Sequence, residues 1–224
     1  MGNWQIKNMK NILGLFFFIS LGTYAQKIRP FVGVSGYIDT DFDKSFFGDL
    51  KIGAEYKLAY YLKPEIEINY MFGTLEELTK RDDTGLVLSL YAKKVSAINY
   101  SFSPKIILGN KNGDGSGYLQ ILPRYTYSSI QASGHRVSRN STNFSKPIEE
   151  KEKTYDIQHS FGIGLGHVID FSDENSQSLA INIYFNNIDL GNALNMLKQD
   201  TRFKTQDVIG FGLNYYFVFK KRSI

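Results

Sequence analysis

Apolar and polar residues alternate along most of the chain from residue 32 onwards. The pattern is clearest near the C-terminus, where Ile209, Phe211 and Leu213 share one face and Gly210 and Gly212 share the other. A period of two residues is typical of a β-strand whose two faces meet different surroundings. Eight segments show this period, over residues 32–38, 50–58, 65–72, 86–102, 119–129, 160–171, 179–186 and 209–219. The pattern predicts an all-β protein of eight strands.

The connectors between these segments are alternately short and long. Short connectors lie around residues 61–63, 110–117 and 172–176, and longer polar ones cover residues 39–47, 73–85, 132–155 and 190–206. Tight turns at one end and long loops at the other are typical of an antiparallel up-and-down transmembrane β-barrel. An even number of strands places both termini at the end that carries the tight turns, which is the periplasmic end.

Glycine is concentrated on the less apolar faces, whereas Phe and Tyr recur on the other faces. Glycine weakens a strand that is exposed to water. In the interior of an eight-stranded barrel, which is just wide enough for side chains, glycine makes room for larger neighbours. We therefore expect the aromatic faces to contact lipid and the glycine-bearing faces to line the interior. The alternative is a soluble periplasmic barrel of the lipocalin type, with its apolar faces turned inward around a ligand.

The first 25 residues predict a cleaved secretory signal peptide. Lys7 and Lys10 precede an apolar run over residues 12–21, and Ala25 ends a short stretch suited to cleavage. We expect residues 26–224 to form one barrel domain in the outer membrane of a Gram-negative bacterium.

Composition excludes several kinds of site. The 224 residues include no cysteine, which excludes disulfides and thiolate metal sites. The formal net charge is +4, and Lys7 and Lys10 supply two of these charges, which leaves +2 for residues 26–224. A charge this small does not favour a nucleic-acid partner. The aromatic content of 15% fits strands and membrane-interface girdles.

Charged residues of both signs fall on the faces that are predicted to line the interior. Unpaired charges would be unfavourable there, so we expect a salt-bridged plug in place of a pore lining. The predicted interior charges are Lys51, Glu55, Lys57, Glu65, Glu67, Lys93 and Arg124.

Two residues fit the strand pattern poorly. Lys94 falls on a lipid-facing register, so we expect it at the outer rim, where a charge is least unfavourable. Pro123 lies inside a predicted strand and lacks the N–H that a ladder needs, so we expect a bulge or irregularity there.

The candidate chemistry is weak. His159 and Ser160 lie near the predicted outer rim, but adjacent strand residues point to opposite faces, so no catalytic residue, cofactor or metal is predicted. An outer-leaflet enzyme that modifies lipid A with these residues is an alternative. Cations in the third and fourth loops could pair with lipopolysaccharide phosphates, Arg being suited to bidentate pairing, although a solvated loop explains them equally. They are Arg136, Arg139, Lys146, Arg202 and Lys204.

The chain end resembles the C-terminal assembly signal of outer-membrane barrels. In that signal a glycine is followed by alternating aromatic residues, and here Gly212 precedes Tyr215, Phe217 and Phe219. The pattern of the mature chain is similar to the small outer-membrane β-barrel families of the OmpA/OmpX type, which are common in Bacteroidetes. The resemblance implies insertion by the barrel-assembly machinery. It also implies a non-enzymatic structural or surface-interaction role, with loops that contact lipopolysaccharide or a protein partner. Fold alone does not choose among the roles of such families.

Overall fold

In the part of the chain that the computed structural model describes, most residues lie in strands and one short helix is present. The strands are β1 (Ile28–Asp39), β2 (Phe46–Tyr56), β3 (Glu65–Thr74), β4 (Leu78–Arg81), β5 (Val87–Ser103), β6 (Ile106–Leu108), β7 (Gly117–Asn140), β8 (Asn143–Asp170), β9 (Gln177–Asn186) and β10 (Val208–Phe217), and helix α1 spans Leu190–Asn195. The structure describes residues 28–39, 46–75, 77–109, 117–140, 143–171, 177–186, 188–198 and 208–217. The predicted signal peptide and the turn at 172–176 lie outside these residues, as do most of the first loop and most of the turn at 110–117. None of the described residues forms a helix long and apolar enough to cross a membrane.

Eight of the strands pair in a ring in which every neighbour is antiparallel. The order is β1–β2–β3–β5–β7–β8–β9–β10, and β10 pairs again with β1. The short strands continue this ring without widening it. β4 pairs with the end of β5 beyond β3, and β6 pairs with the end of β7 beyond β5. The predicted all-β class, the eight-strand count and the antiparallel order are confirmed.

The predicted third loop at residues 132–155 is wrong, because these residues form paired strands. Residues 131–138 of β7 pair with residues 148–155 of β8, and the same part of β7 pairs with residues 89–96 of β5. β4 adds a fourth strand. Several paired strands support one another even where neither face is strongly apolar, so a search for apolar alternation does not detect them. We call this extension the flap: β4 with residues 87–96, 131–140 and 143–155.

The bulge or irregularity expected at Pro123 is found only as an interruption of one ladder, without a bulge. Pro123 lies opposite Ile163 of β8 in continuous register. On the other side, the partner of β7 changes from β6, which reaches Ile121, to β5, which starts at Tyr125. Pro123 therefore lies at the one place where that ladder is interrupted, and its missing N–H is tolerated without a bulge.

The two faces of the wall strands meet opposite surroundings. Glu67 of β3 and Asn214 of β10 are buried, whereas Ile66 is 61% exposed and Phe211 is 54% exposed. Apolar side chains cover the outside of the ring. Polar side chains, glycines and a few large rings fill its inside, which is the orientation that the alternation predicts.

Interior glycines make room for aromatic rings on neighbouring strands. Gly73 lies opposite Phe47 across the β2–β3 pair, and Gly210 lies opposite Tyr37 across the β1–β10 pair. A Cβ added at either glycine would collide with the facing ring. The glycines are therefore required by the close approach of the rings.

Candidate functional site

An ionic layer lies at the end of the interior near the β2–β3 turn. Arg29 Nη2 lies 2.9 Å from Glu55 Oε1, and Lys105 Nζ lies 2.6 Å from Glu55 Oε2. Lys105 Nζ also lies 3.6 Å from Glu65 Oε2, to which the Tyr216 hydroxyl donates a hydrogen bond of 2.8 Å. All five side chains are buried. Buried charges are stable only when they are paired and hydrogen-bonded in this way.

A second ionic layer lies further along the interior. Arg124 Nη2 lies 2.6 Å from Glu67 Oε2, and the Asn69 side-chain amide donates a 2.9 Å hydrogen bond to Glu67 Oε1. Beside this pair, Lys51 Nζ lies 3.7 Å from Asp49 Oδ2. These five side chains are also buried. The layer therefore combines two acids and two bases with an amide.

A buried tyrosine joins the cations of each layer. The Lys51 ammonium and the Arg124 guanidinium lie 4.5 and 4.8 Å from the ring centre of Tyr184. Tyr216 is placed in the same way between the two cations that bind Glu55, at 4.7 and 4.2 Å. Each cation–π contact adds stabilisation that increases when the pair is shielded from water.

The structure places most of the predicted interior charges inside the ring. Those that are buried are Lys51, Glu55, Glu65, Glu67, Lys93 and Arg124. Lys57 is exposed, which corrects the prediction. The reason is that β2 ends at Tyr56, whose N–H is bonded to the Pro64 carbonyl as the chain turns.

Three buried charges of the described part of the chain do not follow from the sequence pattern: Arg29, Asp49 and Lys105. Arg29 and Asp49 keep the interior register of β1 and β2, but they lie just outside the segments that were assigned. Extending the period of two towards the N-terminal end of each segment would have found them. Lys105 lies between β5 and β6, where no strand pattern marks it.

Apolar side chains close the other end of the interior. Met71, Ala97 and Ile130 of the wall form one cluster with Leu190 and Leu194 of α1. A period-two search cannot detect a six-residue helix. The segment that includes this helix, residues 188–198, is called the plug below.

Side chains of β8 hold the plug in the mouth of the ring. Gln158 exchanges two hydrogen bonds with the backbone of Asp189, of 2.6 and 3.0 Å. Three more side chains on the same face of β8 bind the plug. Asp156 accepts a 2.9 Å hydrogen bond from the Asn192 side chain, and the Thr154 hydroxyl donates one of 2.6 Å to the Ala193 carbonyl. Glu152 accepts one of 2.9 Å from the Lys198 N–H. Among the described residues, the interior thus holds two ionic layers beneath the apolar layer of the plug, and a smaller apolar cluster lies beside the first ionic layer. That cluster consists of Phe31, Val168, Ala180 and Tyr216.

The loop of the β4–β5 hairpin is ordered by one carboxylate. Asp82 Oδ1 accepts hydrogen bonds from the Thr84 hydroxyl at 2.7 Å, from the Thr84 N–H at 2.9 Å and from the Leu86 N–H at 2.8 Å. These bonds, first of all that from the Thr84 hydroxyl, lower the pKa of Asp82 below its usual value.

His159 and Ser160 point to opposite faces of β8. His159 is exposed on the outside, where its Nδ1 lies 2.6 Å from the Tyr125 hydroxyl, and Ser160 is buried in the interior. A nucleophile and its base must lie within hydrogen-bonding reach of each other. The two residues therefore cannot work together in catalysis. Among the described residues, no group of three or more His, Cys, Asp or Glu side chains could hold a metal ion.

The predicted rim cations lie in different places. Arg136 faces the plug, because its Nη2 donates a 3.0 Å hydrogen bond to the Lys198 carbonyl and its guanidinium lies 5.0 Å from the Tyr91 ring centre. Arg139 and Lys146 are exposed on strands of the flap, not in a loop. Arg202 and Lys204 lie outside the described residues.

Most of the predicted assembly signal lies on β10. Gly212 faces the interior. Tyr215 is 37% exposed on the outside, and its ring stacks on that of Phe217 at 6.4 Å. Phe219 lies outside the described residues. Recognition by the assembly machinery stays a prediction.

Comparisons with known proteins give weak structural similarities. No protein-family model and no curated protein matches the chain. Similar solved structures include Neisserial surface protein A, with 8% identity and a TM-score of 0.41, covering 86% of this chain and 96% of that one. Ail of Yersinia pestis has 8% identity and a TM-score of 0.40 over 85% and 96% of the two chains. A major outer membrane protein from Thermus thermophilus has 15% identity and a TM-score of 0.44 over 84% and 99%. The assignment of function rests on the residues of this chain.

Proposed function

We propose that the protein is a non-enzymatic β-barrel of a Gram-negative outer membrane, with a structural or surface-interaction role. The observation that carries the proposal is the inversion of the two faces: ion pairs lie inside and large apolar side chains lie outside. Ile52, Ile68 and Leu165, on three different strands, are 61%, 47% and 47% exposed. Such an exterior is unfavourable in water and is what a barrel must present to lipid.

The dimensions of the wall support this location. β3, β9 and β10 each have 10 residues and β2 has 11. A tilted transmembrane strand needs about 9–11 residues. Pairing in a ring also gives every wall strand a partner on both sides, as hydrocarbon requires.

The flap belongs outside the membrane. β9 pairs with β8 only from Gly162 to Asp170, so among the described residues that edge of β8 has no partner strand from Asn143 to Phe161. Unpaired backbone groups are unfavourable in hydrocarbon. The flap therefore faces the cell exterior and the tight turns and both termini face the periplasm.

Because the interior is filled with side chains, we place the proposed role on the outer surface of the protein. Two ionic layers and the plug leave a barrel of this width without a path for solutes. Lipopolysaccharide or a partner protein would meet the flap and the long loops. The alternatives have less support, because His159 and Ser160 are on opposite faces and the interior that would hold a lipocalin ligand contains ion pairs.

The test uses the full chain in its own membrane. Unboiled membrane fractions should show a gel mobility different from that of boiled ones. Because the chain has no cysteine, Lys146→Cys in the flap and Lys57→Cys at the β2–β3 turn can each be labelled alone. An impermeant maleimide should label position 146 on intact cells and position 57 only after lysis. Absence of the mobility shift would overturn the membrane location, and the reverse labelling would overturn the orientation.

A further inference from the structure

Residues on the outer surface of β5, β7 and β8 lie in rows across the three strands, and the rows change in chemistry from the ring to the flap. Two rows in the wall are aromatic: Phe102–Tyr125–Phe161 and Tyr100–Tyr127–His159. Their rings contact one another, with centres 5.3 Å apart for Tyr125 and Phe161 and 5.2 Å apart for Tyr127 and His159. Amphipathic rings in this position are typical of the girdle at a membrane interface.

The rows beyond the girdle become polar and then basic. Ile98–Ser129–Ile157 is followed by Ser96–Gln131–Tyr155 and then by Lys94–Ser133–Lys153. Each step is two residues, so the lysine row lies about 20 Å along the strands from the Tyr127 row, and less in height because membrane strands are tilted by about 45°. In the proposed orientation the lysine row therefore lies on the headgroup side of the aromatic rows.

The lysines share one groove on the lipid-facing side of the flap. The groove has a volume of about 770 Å³, and Lys94, Lys151 and Lys153 line it together with two acids, Glu77 and Glu152. Glu152 also accepts a hydrogen bond from the Lys198 N–H. His135 Nε2 lies 3.5 Å from Glu149. Among the described residues, none of the three lysines lies within ion-pair distance of a carboxylate. The groove therefore presents three ammonium groups that are separated from the isoleucine and aromatic rows by one polar row.

We propose that this groove binds the phosphate groups of an outer-leaflet glycolipid whose acyl chains lie along the aromatic and isoleucine rows below it. The inference rests on the proposed membrane location, and it identifies a phosphorylated glycolipid as the ligand of this groove. A glycolipid with acyl chains and a phosphorylated headgroup matches both parts of the surface. Ammonium groups near an anionic membrane surface attract such headgroups. The site differs from the loop cations that the sequence indicated, because Arg136 is turned towards the plug.

Native mass spectrometry of the folded chain in detergent can test this site. The lipid probe is diphosphoryl lipid A, and the variant is Lys94→Gln/Lys151→Gln/Lys153→Gln. At low salt each lysine contributes roughly a fivefold factor, so the triple variant should bind roughly 100-fold more weakly. The matched control, Lys80→Gln/Arg139→Gln/Lys146→Gln, removes three cations of the flap outside the groove and should change the affinity by less than about threefold.

Two further probes identify what the groove recognises. Lipid A stripped of both phosphates should bind weakly and equally to all three proteins, and inorganic phosphate should not displace diphosphoryl lipid A. Three outcomes would each overturn the proposal: equal weakening in the two triple variants, binding of the phosphate-free lipid as tight as that of diphosphoryl lipid A, or displacement by inorganic phosphate. The gel-mobility shift is measured on the same samples. If the shift is present while lipid binding is unaffected, this inference fails alone, and if the shift is absent, the proposed function fails.

Discussion

The ion pair between Arg124 and Glu67 is the most direct place to perturb the interior. Both side chains are 2% exposed and their closest atoms lie 2.6 Å apart. Arg124→Ala removes the guanidinium that faces Glu67 and the Tyr184 ring, and it leaves the carboxylate in a dry interior. Asn69 remains as a neutral hydrogen-bond donor to that carboxylate.

The expected magnitude follows from this geometry. Removing one partner of a buried pair costs about 3–5 kcal/mol, because the other charge is left uncompensated. Replacing both partners by neutral groups of similar size is close to neutral. We therefore expect Arg124→Met to be strongly destabilising and the double variant Arg124→Met/Glu67→Gln to recover most of the loss. Gln in place of Glu67 keeps an acceptor for Asn69. Arg139→Ala, exposed on the same strand, should stay within about 0.5 kcal/mol of the unchanged protein.

Urea unfolding in lipid vesicles, followed by circular dichroism and gel mobility, measures these differences. Tryptophan fluorescence is unsuitable, since the one tryptophan is Trp4 in the predicted signal peptide. Equal midpoints for Arg124→Ala and Arg139→Ala would refute the view that the interior is held by paired charge. A double variant as unstable as the single one would refute the coupling between the two residues.

Three other regions give separate predictions. Gly73→Val should lower stability by about 1–3 kcal/mol in the same unfolding assay through overpacking, and Phe47→Leu in the same chain should restore part of it; no rescue would show that the facing ring is not the cause. Ile68→Arg should cost about 2–4 kcal/mol if this residue faces the hydrocarbon midplane, whereas Ile148→Arg on the flap should cost close to zero, and equal costs would contradict the membrane boundary. Because the pKa of Asp82 is lowered in the folded state, its carboxylate stabilises the β4–β5 loop above a pH of about 4, and this contribution is lost as the pH falls through the folded-state pKa. Hydrogen exchange should show the loop amides protected at neutral pH, unprotected in acid and unprotected at all pH values in Asp82→Ala; unchanged protection in the variant would contradict this role.

The wall of the ring could be predicted from the sequence because one physical rule governs it. In the proposed location, lipid on one side and a narrow interior on the other make every second residue apolar, so the period appears even in strands of 10 residues. The flap lacks that signal, because polar side chains of one of its faces contact the plug and backbone pairing holds its strands together. Helix α1 also lacks a period of two, because its apolar residues pack against wall residues that are distant in the sequence.

The interior charges show the same limit at the level of single residues. Lys51 and Lys57 are both on the interior register of the predicted segment, yet only Lys51 is buried. What separates them is the position at which β2 ends, which depends on the bond between Tyr56 and Pro64. Lys105 is buried without any strand pattern because it reaches Glu55 from the connection after β5. Alternation therefore predicts which face of the strand a side chain is on, whereas its burial depends on where the neighbouring strands end.

The apolar layer and the ionic layers stabilise each other. An ion pair gains strength when water is excluded, because the effective dielectric constant around it falls. Leu190 and Leu194 of the plug belong to the same buried cluster as Tyr184, whose ring contacts Lys51 and Arg124 of the second ionic layer. The ionic layers in turn occupy space inside the eight-stranded ring that apolar side chains would otherwise have to occupy. Weakening the bonds between Gln158 and Asp189 should therefore lower the stability of the ion pairs without opening a path for ions, since both charged layers remain below the plug.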